Sequence, residues 1–321
     1  MDRRRAVGVL LVVVSACGFG SGALFAKPVY AAGLDWLTLL AWRFAIGAAL
    51  AWGWLLASAE RRSELRRTTG RLAAGAAALG ALYTLNSSTY FAAIETVPAS
   101  LAALIVYIYP VLVAVLTLRI GKPLRGRRPW IALGVATVGA ALAVGGIDAA
   151  HVPPVGGILL AIASPIIYSG WIVLSARLGG ERRDRSGHGA TGGAAPAVAG
   201  ALMMTTTAGI FWALALASRH PVFPDAIPGA AWPGLVGVGV VSTFVAIQTF
   251  YAGARRIGAA QAALISTIEP VYTITFAALL FAETLTSIQF VGAALILGAV
   301  VVAQSAANPE DRLSQLHVAD E

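Results

Sequence analysis

Ten stretches of about 20 apolar residues recur along the chain, at roughly 6–26, 34–57, 72–94, 98–118, 129–147, 155–176, 196–217, 230–253, 258–281 and 285–306. A helix needs about 20 apolar residues to cross a hydrocarbon layer about 30 Å thick. Backbone groups in lipid must bond within their own segment or within a closed barrel. These runs are too long and too evenly apolar for barrel strands, so the pattern predicts an all-α membrane protein with ten transmembrane helices. Composition agrees, since 58% of the 321 residues are hydrophobic and 12% charged, with mean hydropathy +0.78.

The net charge of +8 would suggest nucleic acid in a soluble chain, but here the placement of the basic residues carries the information. Threading ten spans puts twenty Lys and Arg on one side, two (Lys27 and Arg219) on the other, and Arg43 inside the second span. By the positive-inside rule the crowded side is cytoplasmic, with both termini, and the expected location is a cell inner (plasma) membrane. A competing reading of "MDRRR…VSAC" as a lipoprotein signal ending at Cys17 is weakened because the apolar run continues to about Ala26.

Metal and redox chemistry are poorly served. Histidines at 151, 188, 220 and 317 fall in expected loops or the tail, and Cys17 is the single cysteine. No cofactor or metal is expected, nor any nucleic-acid partner. The Gly- and Arg-rich segment 179–196 reads as a flexible linker, and the polar residues 307–321 as a cytoplasmic tail.

Shifting the chain by 160 residues lays "SLAALIVYIYPVL" (100–112) on "AQAALISTIEPVY" (260–272), with Pro110 on Pro270. A shift of 148 lays Ser21-Gly22 on Ser169-Gly170. The chain therefore reads as two five-span repeats, 1–147 and 155–306. Five is odd, so the second copy must enter the membrane from the opposite side, giving two inverted five-helix repeats related by an axis in the membrane plane. Inverted repeats of this kind typify secondary transporters, which work by alternating access.

These stretches, with "TVPASLAALIVYIYPVLVAVL" and "IGAAQAALISTIEPVYTITFAALLFAETLT", resemble the drug/metabolite transporter superfamily, and within it the ten-helix EamA-type carriers. The resemblance covers nearly the whole chain. It implies export of small metabolites, amino acids or amphipathic drugs through a cavity between the halves. Members usually carry a Gly-Glu pair after the fourth and ninth spans; here the pairs are Gly121-Lys122 and Ala282-Glu283, a departure that leaves the subfamily open.

Glu269 is the residue that most demands a reason. It lies about 17 Å along the ninth span from Gly258, next to Pro270, which cannot donate the bond to Ser266 and is expected to kink the helix. A carboxylate at that depth must pair, face water or protein, or take up a proton. Its expected role is substrate recognition or proton coupling, with a structural bond to another span as the bland alternative. Arg43 lies about 14 Å into the second span. It cannot shed its charge, so it needs Glu269, a substrate carboxylate, or helix-end carbonyls as partner.

Tyr83 and Asn86 share a face of the third span, Tyr107 and Tyr109 precede Pro110, Tyr168 and Trp171 lie mid-span in the sixth, and Tyr272 follows Pro270. Aromatic rings with polar tips suit a pocket for amphipathic solutes. Asn86 and Gln248 could equally line a cavity or join helices, and the Gly18, Gly20 and Gly22 set reads as close helix packing. An intramembrane enzyme is the alternative class, but there is no HExxH and no serine–histidine pair within the spans. A channel should show repeated rings or a filter loop, and none is evident.

Overall fold

The computed structural model describes residues 3–94, 96–97, 102, 105–144, 153–181, 193–281 and 286–305. Among these every regular element is helical. The first span is α1 (Arg3–Ala31), the second α2 (Trp36–Leu56) and the third α4 (Gly70–Ile94). Between them lies α3 (Ala59–Arg67), where the sequence reading expects only a loop. Its residues are too polar to register as a span, and Arg61 holds it to the end of α2 by donating to the Trp54 carbonyl at 2.8 Å.

The fourth span contains α5 (Tyr109–Ile120), the fifth is α6 (Arg127–Val144), the sixth α7 (Val155–Leu178) and the seventh α8 (Pro196–Ala217). The eighth is α9 (Trp232–Gly239), a π-helical stretch Val240–Val245, and α10 (Ala246–Ile257). The ninth is broken into α11 (Ala259–Ser266) and α12 (Glu269–Phe281), and the tenth is α13 (Ser287–Ser305). Six described stretches, the first, second, sixth, seventh, eighth and ninth spans, are long and apolar enough to cross a membrane. The third span is long but carries "NSST", and the fourth, fifth and tenth have shorter described helices.

Packing follows the repeat. The second span lies on the seventh, the fifth on the tenth and the fourth on the ninth, each against its own counterpart. The third packs on the sixth as the eighth packs on the first, and the fourth meets the sixth as the ninth meets the first. This pattern is unchanged when each span is exchanged with the one five places along, the property of two halves related by a two-fold rotation. With five crossings per half, that axis lies in the membrane plane.

Close approach depends on glycine where helices cross. A Cβ at Gly18 would sit 2.9 Å from the Val241 carbonyl, and one at Gly139 would sit 2.8 Å from the Gly292 carbonyl. Two tryptophans 160 residues apart lace the second and seventh spans together: Trp52 donates to Thr205 Oγ1 at 2.8 Å and Trp212 to the Ala41 carbonyl at 3.0 Å. Gly8 of α1 meets Arg256 and Ile257 of α10. This places the Arg-rich ends of α1 and α10 on one face, hereafter the basic face.

Candidate functional site

The ninth span is not kinked at Pro270, as the sequence reading expects, but interrupted. Helix α11 stops at Ser266, Thr267 and Ile268 turn back to Leu264 and Ile265, and a new helix starts at Glu269. The placement of an acid beside a proline then has a physical cause. The first N–H groups of a helix have no intrahelical acceptor, so a proline in the first turn loses nothing. The positive end of the helix dipole favours a carboxylate there. The fourth span is built alike, with a turn at Tyr107 and Ile108 and a new helix from Tyr109-Pro110.

Helix α1 grips the ninth-span break. A Cβ at Gly20 would sit 3.1 Å from the Glu269 carbonyl and 2.7 Å from Thr273 Oγ1, so only glycine allows this approach. The Thr273 hydroxyl lies 3.1 Å from the Gly20 carbonyl and 3.0 Å from that of Glu269. Ser21 places its hydroxyl 3.1 Å from that of Tyr272, whose ring stacks on Phe276. The sixth span treats the fourth in the same way, with the Ser169 hydroxyl 3.3 Å from the Tyr109 carbonyl.

A continuous wall of rings faces these breaks. Tyr83 meets Phe44 at 5.7 Å and Trp171 at 4.9 Å between ring centroids. Tyr168 meets Tyr109 edge-on at 4.9 Å and stacks on Trp171, which stacks in turn on Phe250. Tyr83, Tyr107, Tyr109 and Tyr168 all lie within electrostatic reach of Glu269. The Trp171 indole N–H has no hydrogen-bond partner, and the Tyr109 hydroxyl, although beside Ser266, makes no properly aligned bond. Buried polar groups are normally satisfied, so these two stand out.

Arg43 does not pair directly with Glu269, although its charge acts on that carboxylate. It uses Nε on Thr243 Oγ1 at 2.8 Å and one terminal nitrogen on the Ser242 carbonyl at 3.0 Å, both in the π-helical stretch. A π-bulge displaces main-chain carbonyls from the regular ladder, and an arginine fork suits such an acceptor. These acceptors, a threonine hydroxyl and a carbonyl inside the eighth span, differ from the helix-end carbonyls weighed for Arg43.

The remaining candidates lie apart from this cluster or serve as joints. Asn86 accepts from Ser164 at 3.0 Å, tying the third span to the sixth. The Gln248 amide is buried against Gly200 with neither polar atom bonded. The Ala282-Glu283 pair and the tail lie outside the described residues. Sequence reasoning missed Phe44, Phe250, Ser242 and Thr243; the aromatic pair "FY" at 250–251 was a usable signal, whereas nothing in "VVSTFV" announces a π-helix.

Two links between the halves, one on each face, were also missed. On the basic face Glu181 accepts from the main-chain N–H of Lys122 at 2.6 Å and of Ala259 at 2.8 Å. Burial pushes its carboxyl above the ordinary value despite those bonds. On the opposite face Asp35 caps α2 through the Thr38 N–H and lies 2.8 Å from His220 Nδ1. Burial works against ionisation there, but the Thr38 N–H and His220 prevail and hold the Asp35 carboxyl below its ordinary value.

A polytopic helical bundle of two inverted halves, with paired helix breaks in its fourth and ninth spans, fits one class: a membrane transporter. The EamA-like transporter family model matches twice, over residues 6–145 and 155–304, and the chain belongs to that family. It is similar to the "Uncharacterized transporter YcbK" of Bacillus subtilis (strain 168), 26% identical over 296 residues and covering 90% of each chain. It is also similar to an "Uncharacterized transporter" of Archaeoglobus fulgidus, 27% identical over 221 residues, 68% of this chain and 72% of the other. A protein of known crystal structure shares the fold with TM-score 0.73 at 20% identity, over 92% of this chain and 96% of that one.

Proposed function

We propose that this transporter exports a small charged or amphipathic organic solute across the inner membrane by alternating access. The solute is held between the halves at the Glu269 break. The observation that carries this reading is the paired interruption of the fourth and ninth spans, which sets an acid at a helix start opposite a ring wall with unpartnered polar tips. Glu269 recognises a solute cation or cycles a proton. Arg43, within electrostatic reach, favours an anionic group on the same solute, so a zwitterion such as an amino acid suits the pair. Tyr83, Tyr107, Tyr109, Tyr168, Trp171 and Tyr272 shape the pocket, while Asn86 ties the third span to the sixth and Gln248 packs against Gly200.

Links on opposite faces, at Glu181 and at Asp35–His220, are what such a cycle needs, because each must release when its face opens. The basic face is assigned to the cytoplasm by charge. The reading is tested by counterflow in proteoliposomes across amino acids, sugars and cationic drugs. One class should accelerate exchange saturably, and Glu269→Gln should flatten the pH dependence of its transport. Unitary currents, or pH dependence unchanged in Glu269→Gln, would remove the carrier or the coupling role respectively.

A further inference from the structure

A groove of about 720 Å³ lies away from the helix breaks, at the basic-face ends of the third and sixth spans. Its walls are Leu72, Leu79 and Leu82 of α4 and Leu174 and Leu178 of α7. Leu72 to Leu82 follow helical spacing, so the trench runs about 15 Å along α4 at 1.5 Å per residue. At its mouth are Arg71 and Arg177, both exposed. Among the described residues neither side chain has a hydrogen-bond or ion-pair partner. Glu181 also borders the groove, but its two oxygens are committed to the Lys122 and Ala259 N–H groups.

We propose that this groove is a binding site for one anionic phospholipid, with its phosphate between Arg71 and Arg177 and one acyl chain along the leucine trench. A soluble anion would use the arginines and leave the apolar trench unfilled. A neutral lipid would fill the trench but leave the two exposed guanidinium groups to water, forgoing a charge-assisted contact with an anion. Only a molecule with a phosphate at one end and a hydrocarbon chain at the other matches both, and basic pockets between spans on this side commonly take such headgroups. Between Gly180 and Gly193 the sequence carries Arg182, Arg183 and Arg185 against Glu181 and Asp184, a net positive charge. That segment adds to the positive charge and does not complement it.

Native mass spectrometry of the delipidated full-length protein, titrated with phosphatidylglycerol and with phosphatidylcholine of the same chains, tests the assignment. One phosphatidylglycerol should bind with a preference of roughly 25-fold, about fivefold per arginine. Arg71→Gln with Arg177→Gln should bring the two lipids to parity. Arg127→Gln with Arg128→Gln, on the same face but outside the groove, should leave the preference intact. A Cβ at Gly75 would lie 3.0 Å from Leu178 Cδ1, so Gly75→Leu should block the trench and lower binding of both lipids. Parity in the unsubstituted protein, equal loss in the Arg127/Arg128 pair, or release of the lipid by excess inorganic phosphate would each overturn the proposal.

Discussion

The fourth and ninth spans share a backbone plan and differ in chemistry. Each breaks mid-membrane, restarts with a proline in the first turn, and is contacted by a serine from the first or sixth span of the other half. At the matching position one carries Tyr109 and the other Glu269. Duplication accounts for the shared break, since the same proline recurs and a serine of the opposite half reaches each break. The substitution of a charge for a ring in one copy shows that symmetry here belongs to the scaffold. The acid is found in one half only, at a helix start whose dipole favours an anion. Exchanging the two breaks can therefore serve access while the charged site stays single.

Altering the acid should break this comparison most strongly. Glu269→Ala is expected to lower transport roughly 10- to 100-fold, the loss of one charge-assisted contact to the solute, measured as initial uptake in proteoliposomes. The matching change, Tyr109→Ala, removes a ring from a wall of several and should cost about tenfold or less. Equal losses would mean that the halves are chemically equivalent after all.

Next in size is Arg43. Arg43→Ala leaves the Ser242 carbonyl and Thr243 without their donor and should destabilise the fold by about 1–3 kcal/mol, seen as a lower thermal midpoint. Gly20→Val tests the grip of α1 on the ninth-span break. Its side chain would overlap Thr273 and Tyr272, with an expected cost of about 1–3 kcal/mol and slower transport. Gly170→Val, where a Cβ meets nothing within 4 Å, should be nearly neutral.

The plan of ten spans was readable because lipid demands long apolar runs, and these remain visible at any register. The repeat was readable because Pro110 and Pro270 fall at one offset. Three features were hidden. Pro270 announces a disturbance, but whether a helix bends or restarts depends on the turn at Thr267 and Ile268 and on the packing of Gly20, which lies some 250 residues away in sequence. Arg43 is held by a threonine hydroxyl and a main-chain carbonyl of a π-helical stretch, and nothing in the composition marks either as its acceptor. Glu181 sits at the edge of an Arg- and Gly-rich segment that reads as a linker, yet its carboxylate joins two chain segments from different halves.

The smallest expected effect concerns the links on the two faces. Because the Asp35 carboxyl is held below its ordinary value, its contribution is present above the ordinary carboxylate range and is lost as pH falls through that lowered value. Asp35→Asn should therefore remove the charged contact with His220 at neutral pH and favour opening on that face. The shift should be a few-fold at most for a partly exposed pair, measured as thiol labelling of introduced cysteines. Glu181→Gln should bias the protein the other way.

In the proposed cycle Glu269 stands at a gap between inverted halves that opens to each face in turn. With the single cysteine removed by Cys17→Ser, Glu269→Cys can be probed with membrane-impermeant thiol reagents applied from one side at a time. Labelling is expected from either side, slowed by transported solute. Reaction only with lipid-soluble reagents, unaffected by any solute, would contradict it.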